Sequence, residues 1–299
     1  MLGNSSVNDL ELDGASVALE IWIDRDDHND VDERTLWAAR SFRWRYGSVR
    51  VHVHRQHVGI YGQWMATWRP RSALTGETGL LLEDDLTISP FAYRWLRAAR
   101  RFYADRRDLA GFTLQSEGLI RATDNGPFRP PPAAQGAAYL YALMGSWGFA
   151  PRPDVWIGFQ DWYATGVRHR LRPIVAGLIM SKWYEQFERQ RKSHTMWTMW
   201  FIYYCSQEQV RDQLQLYTVY NNVHSLAAEA VAPTDGRYLC VNRREPGLHF
   251  SARKTNNSVR KLLRTWRPEF AQFNRTPPVF NYDGELIHVT SSADAAPVG

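Results

Sequence analysis

Apolar positions change their spacing along the chain, and each change marks an element. Val17-Ala18-Leu19-Glu20-Ile21-Trp22-Ile23 is short and mostly apolar, which predicts a strand stopping at Asp24-Arg25-Asp26-Asp27. The box Asp30-Val31-Asp32-Glu33 opens a predicted helix that runs to Tyr46, with Gly47 as its C-cap. Val49-Arg50-Val51-His52-Val53-His54 then alternates as a second strand. This strand-helix-strand order predicts a parallel pair, and with it an α/β sheet covered on both faces.

Further on, Leu80-Leu81-Leu82 reads as a buried strand, and Ser89-Pro90 as the N-cap and first residue of a helix. Phe91, Trp95, Ala98 and Phe102 recur at helical spacing and predict its core face. Residues 110–114 and 139–144 read as strands, and 214–220 alternates as another. Helices are expected over 151–164, from Ser181, and over 194–205. Asn125-Gly126-Pro127 and Pro130-Pro131-Pro132 break all periodicity between 124 and 135, which predicts a loop acting as a lid. The polar residues 1–16 and the tail 290–299 are expected to be disordered, leaving 17–289 as one domain without internal repeat or linker.

Composition narrows the classes. A hydrophobic content of 44% with 22% charged residues is that of a globular chain able to build a sizeable core. The net charge of +5 favours anionic ligands, but no Lys/Arg block is dense enough to point to nucleic acid. The longest strongly apolar run, 196–205, is about half the ~20 residues of a membrane span, so no integral membrane segment is expected. Two cysteines give neither a disulfide framework nor a cysteine-based metal site. Thirteen Trp and fourteen Tyr suit sugar or base rings as well as a core.

The candidate chemistry lies in Glu83-Asp84-Asp85, which the spacing puts where the 80–82 strand stops. In open α/β sheets, ligands bind beyond the carboxyl ends of strands. Adjacent carboxylates repel one another and call for a cation, and hard oxygen ligands suit Mg²⁺ or Mn²⁺, which usually carry a phosphate too. A helix start with acidic residues near its positive end reads the same way locally.

The run Glu83-Asp84-Asp85-Leu86, followed by Ser89-Pro90 and an aromatic-rich helix, resembles the metal-binding acidic motif of GT-A glycosyltransferases. Within them it is similar to the N-acetylglucosaminyltransferase I-like group. The resemblance covers roughly residues 17–250, and the acidic motif is its only specific part. It implies a Rossmann-like α/β fold with a mostly parallel sheet flanked by helices, here with the usual first strand lacking. It also implies a nucleotide-sugar donor, a glycan or glycoconjugate acceptor, and Mn²⁺ or Mg²⁺. Asp85 and Asp84 are the implied metal ligands, with His249 completing the sphere, and Glu83 facing the ribose. Asp24 is placed against the nucleotide base, and Gly59, Gly62 and Gln63 let backbone approach the nucleotide. Asp161, in an Asp-Trp pair with Trp162, is the candidate base, with Glu185 and His194 as substitutes. Trp147 is a candidate for stacking on an acceptor sugar or for core packing. A noncatalytic glycan-binding protein on a truncated GT-A scaffold is the alternative, suggested by the short stretch before Val17.

Overall fold

The computed structural model describes residues 3–72, 76–84, 86–115, 138–207, 215–221, 227–229 and 273–287. Its first supersecondary unit follows the hydrophobic pattern. Strand β1 (Leu19–Ile23) leads through helix α1 (Glu33–Ser41) to strand β2 (Val49–Val53), and the strands pair in parallel with Leu19 opposite Val49. Asp32 caps α1, its carboxylate accepting from Thr35 N at 2.7 Å. The helix stops at Ser41 rather than Tyr46. Gly47 is not its cap: a Cβ there would lie 2.5 Å from Val17 O, so glycine permits the close pass of the chain beside β1.

Helix α2 (Gly59–Ala66) follows and carries Gly59, Gly62 and Gln63. Strand β3 (Leu86–Ile88) comes after the acidic cluster and pairs antiparallel with β8 (Ala227–Glu229). Leu81 makes only a single bridge, with two backbone hydrogen bonds to Phe149 at 2.8 and 3.1 Å. The acidic residues therefore lie in a turn between that bridge and β3, not at the end of a strand. Helix α3 (Ala92–Phe102) begins two residues later than Ser89-Pro90 suggests, although Ser89 Oγ accepts from Phe91 N at 3.2 Å in the preceding turn. Its core face is Ala92, Trp95, Leu96 and Ala99.

The main sheet adds β4 (Leu109–Thr113), β5 (Ala138–Tyr141), β6 (Phe149–Pro151), β7 (Tyr217–Asn221), β9 (Val279–Phe280) and β10 (Leu286–Ile287), in the order β10-β9-β5-β7-β4-β6. It is mixed, which corrects the expected mostly parallel sheet: β4 with β7 and β5 with β9 are parallel, but β5 with β7, β4 with β6 and β9 with β10 are antiparallel. Alternate side chains feed two cores. Tyr139, Tyr141 and Tyr220 face helices α4 (Pro153–Ala164), α5 (Ile179–Arg189) and α6 (Thr198–Ser206). Ala138, Leu140 and Val219 face α3.

The amino-terminal segment, where it is described, packs against α3. Residues Gly3–Asp9 form a 3₁₀ turn, and Val7, Leu10 and Leu12 are buried in the α3-side core. Glu11 N donates to Pro90 O, and Arg94 grips Glu11 and Asp13. No strand occurs among residues 3–18. Deleting residues 1–16 should therefore lower the melting temperature by roughly 10 °C, since three buried aliphatic side chains contribute about 1.5–3 kcal/mol each. An unchanged melting curve would contradict this packing. Among the described residues no helix is long and apolar enough to cross a membrane.

Candidate functional site

Helix α2 is the element that connects the residues singled out in the sequence. At its start, Asp24 reaches across from the end of β1. Asp24 Oδ1 accepts from Arg25 N at 2.8 Å and Val58 N at 2.9 Å, and Oδ2 accepts from Gly59 N at 2.7 Å. Gly59 has φ +63°, a conformation that L side chains rarely adopt. His57 closes the clasp: its Nδ1 donates to Arg25 O and lies 3.2 Å from Asp24 Oδ2, with Asp27 at 3.6 Å from Nε2. Burial pushes the Asp24 carboxyl up, but the N–H groups of Val58, Arg25 and Gly59 and the charge of His57 outweigh it, so the net shift is downward. The hydrogen bond to Arg25 O, followed by the charges of Asp24, Asp27 and Asp26, raises His57 above its ordinary value.

The clasp has a pH signature with two limbs. A carboxylate lowered by folding contributes stability above its unfolded pKa and loses it as pH falls through the folded one. An imidazole raised by folding contributes below its unfolded pKa and loses it as pH rises through the folded one. Asp24→Ala should cost about 1.5–3 kcal/mol at neutral pH, the range for hydrogen bonds to a charged group. The penalty of His57→Ala should be larger at about pH 5.5 than at about pH 8.5, since histidine titrates between. Thermal melts at the two pH values check both, and a His57→Ala penalty that does not vary with pH would contradict the charge pairing.

Gln63 does not face outward: its Oε1 lies 3.0 Å from Nε2 of buried His54, which packs with Trp22 at a centroid distance of 5.2 Å. Gly62 makes room within α2, since a Cβ there would sit 2.3 Å from Val58 Cβ. Two residues further on, Trp64 is buried and stacks on Trp197 with centroids 4.1 Å apart. Its Nε1 donates to Glu83 Oε1 at 3.2 Å. Glu83 is thus half-buried and directed inward, whereas Asp84 is exposed at the turn. Leu86 N donates to Glu83 O at 3.3 Å and closes that turn. Asp85 and His249 lie outside the described residues.

The last turn of α2 and the residues after it dock on α4. Gln160 Nε2 donates to Met65 O at 2.8 Å and Trp68 O at 3.0 Å, and Trp156 Nε1 also donates to Trp68 O at 3.0 Å. Asp161 lies on the exposed side of α4, its side chain 62% exposed, and pairs with Arg69 Nη2 at 2.8 Å. Trp162 instead packs inward beside Tyr203 and Tyr204. Of the two substitutes, Glu185 lies on α5, 3.9 Å from Arg172, and His194 sits in a 3₁₀ turn. Trp147 is half-buried against the α3-side core.

The structure therefore links Asp24, Gly59, Gly62, Gln63 and Glu83 through one helix, while Asp161 lies on α4, paired with Arg69. It also adds His57 and Trp64, which flank the candidates Gly59, Gly62 and Gln63 without a signal of their own in the sequence. A cleft of about 550 Å³ opens at the carboxyl ends of β1 and β2, lined by Arg25, Asp30, Val31, Glu33, Leu36, Arg40 and Val53. Among the described residues, no group of three or more His, Cys, Asp or Glu side chains converges as a metal site. The carboxylate of Asp84 is a hard oxygen donor of the kind Mn²⁺ and Mg²⁺ take, so its chemistry fits one ligand of such an ion. The fold is that of an α/β protein with a mixed sheet flanked by helices. Comparison with protein-family models and with curated proteins returns no match.

Proposed function

We propose that the chain is a metal-dependent glycosyltransferase that moves a sugar from a nucleotide-sugar donor to a carbohydrate acceptor. The observation that carries this reading is the acidic turn, with Glu83 tethered inward to Trp64 and Asp84 exposed beside it. Asp84 and Asp85 are the residues proposed to hold Mn²⁺ or Mg²⁺, with His249 as a third ligand. Such an ion neutralises charge developing on a leaving diphosphate. The cleft beyond β1 and β2, with Arg25 and Arg40 in its lining, offers cationic groups to an anionic donor where open α/β sheets take ligands. Asp161 is proposed to accept the proton of the acceptor hydroxyl, for which it must release Arg69.

One observation favours the noncatalytic glycan-binding alternative. Asp24 already satisfies three backbone N–H groups, and Asp161 is already ion-paired, so neither carboxylate stands ready for its proposed role. Incubation with a panel of nucleotide sugars and Mn²⁺ separates the two readings. Donor hydrolysis or transfer supports the enzyme. Glycan binding without any nucleotide binding supports the alternative and contradicts the enzyme.

A further inference from the structure

We propose that Glu83 anchors the acidic turn rather than contacting the ligand, and that Trp64 is the positioning residue that holds it; the inference rests on the metal-dependent reading above. An indole offers a single N–H, donor only, in the plane of its ring. Here the ring plane is fixed: Trp64 is 5% exposed and stacks at 25° on Trp197, which is itself 2% exposed. The helix carrying Trp64 is fixed at its start by Asp24 and at its end by Gln160. The N–H is thus aimed before any ligand arrives, and Glu83 Oε1 accepts it at 3.2 Å.

The backbone of Glu83 is held as well. Leu81, two residues earlier, exchanges both hydrogen bonds with Phe149, and Glu83 O accepts from Leu86 N. Side chain and main chain of one residue therefore fix the base of the turn, while Asp84 projects into solvent. A ligand-facing carboxylate needs such support, because an exposed loop side chain otherwise loses rotamer freedom on binding. Supporting partners of metal ligands typically change affinity ten- to a hundredfold when removed.

The required property of Glu83 is then an acceptor oxygen, not a charge, and that separates the two roles experimentally. The test is calorimetric titration of Mn²⁺ with uridine diphosphate into the full chain and four variants. Trp64→Phe keeps the ring stack but removes the N–H, and Glu83→Ala removes the acceptor; each should weaken binding about tenfold. Glu83→Gln keeps an acceptor oxygen and should restore most of what Glu83→Ala loses. Asp84→Asn, which alters a proposed ligand, should weaken binding more than any of these.

Circular dichroism and melting curves of each variant separate unfolding from lost positioning. In the metal-free protein, the indole N–H resonance that vanishes in Trp64→Phe should shift in Glu83→Ala and stay near its place in Glu83→Gln. If Glu83→Gln binds as weakly as Glu83→Ala, the Glu83 charge acts on the ligand and the anchoring role is overturned. Unchanged binding in Trp64→Phe overturns it too. If Asp84→Asn binds as well as the parent, or the parent does not bind, the metal-dependent reading itself fails and the positioning role falls with it.

Discussion

Asp84→Asn should lower the affinity for Mn²⁺ in the presence of a nucleoside diphosphate by roughly a hundredfold, about 2.8 kcal/mol at 1.4 kcal/mol per factor of ten. A divalent ion on a surface turn depends on the anionic charge of its few oxygen ligands, and the amide keeps an oxygen but not the charge. Folding should not suffer. Asp84 is exposed, and the turn closes through Glu83 O and Leu86 N, neither of which the substitution touches. Removing one of several adjacent carboxylates also relieves repulsion, so the metal-free melting temperature should hold or rise. Asp85→Ala should behave in the same way. A variant with parental metal affinity, or one that unfolds, would contradict this account of the turn.

Trp156→Ala should be the most destabilising change in the fold, by about 3–5 kcal/mol. Trp156 is fully buried, with Phe149, Phe159, Trp197 and Phe201 at centroid distances of 5.5 to 6.4 Å. Its hydrogen bond to Trp68 O is partly backed up, because Gln160 Nε2 reaches the same carbonyl, so the loss is chiefly one of packing. The consequence should extend to the site: Trp197 lies between Trp156 and Trp64, and Trp64 holds Glu83. Denaturant melts measure the first effect. A loss below about 1 kcal/mol would mean that the aromatic cluster relaxes far more than close-packed cores do.

The parts legible in the sequence are those governed by local spacing. β1, α1 and β2 follow from alternation, a capping aspartate and a crossover length, and their parallel pairing follows from that order. What spacing cannot show is which distant strand becomes a neighbour. β5 runs antiparallel to β7, with Tyr139 opposite Tyr220, and nothing within either segment encodes that partner. Gly59 and Gly62 stood out as places for backbone to approach a ligand, yet Gly62 is used for close packing against Val58 within α2. Among residues 3–16, Val7, Leu10 and Leu12 pack where α3 offers a partner surface, a contact between distant segments that polar composition conceals.

The candidate site was legible as chemistry rather than as geometry. The sequence shows adjacent carboxylates, but the hydrogen bond joining Trp64 to Glu83 spans nineteen positions and two elements. Asp161 illustrates the converse: its neighbour Trp162 packs inward, which on a helix directs the adjacent residue elsewhere, here to solvent and Arg69.

The turn at Glu83 and Asp84 is proposed to take a divalent cation together with a nucleoside diphosphate. Calorimetric titration of the full chain with uridine diphosphate, with and without Mn²⁺, decides this. Saturable binding that requires Mn²⁺ and is lost in Asp84→Asn is the expected result. Nucleotide binding that is indifferent to Mn²⁺, or no binding under either condition, would contradict it.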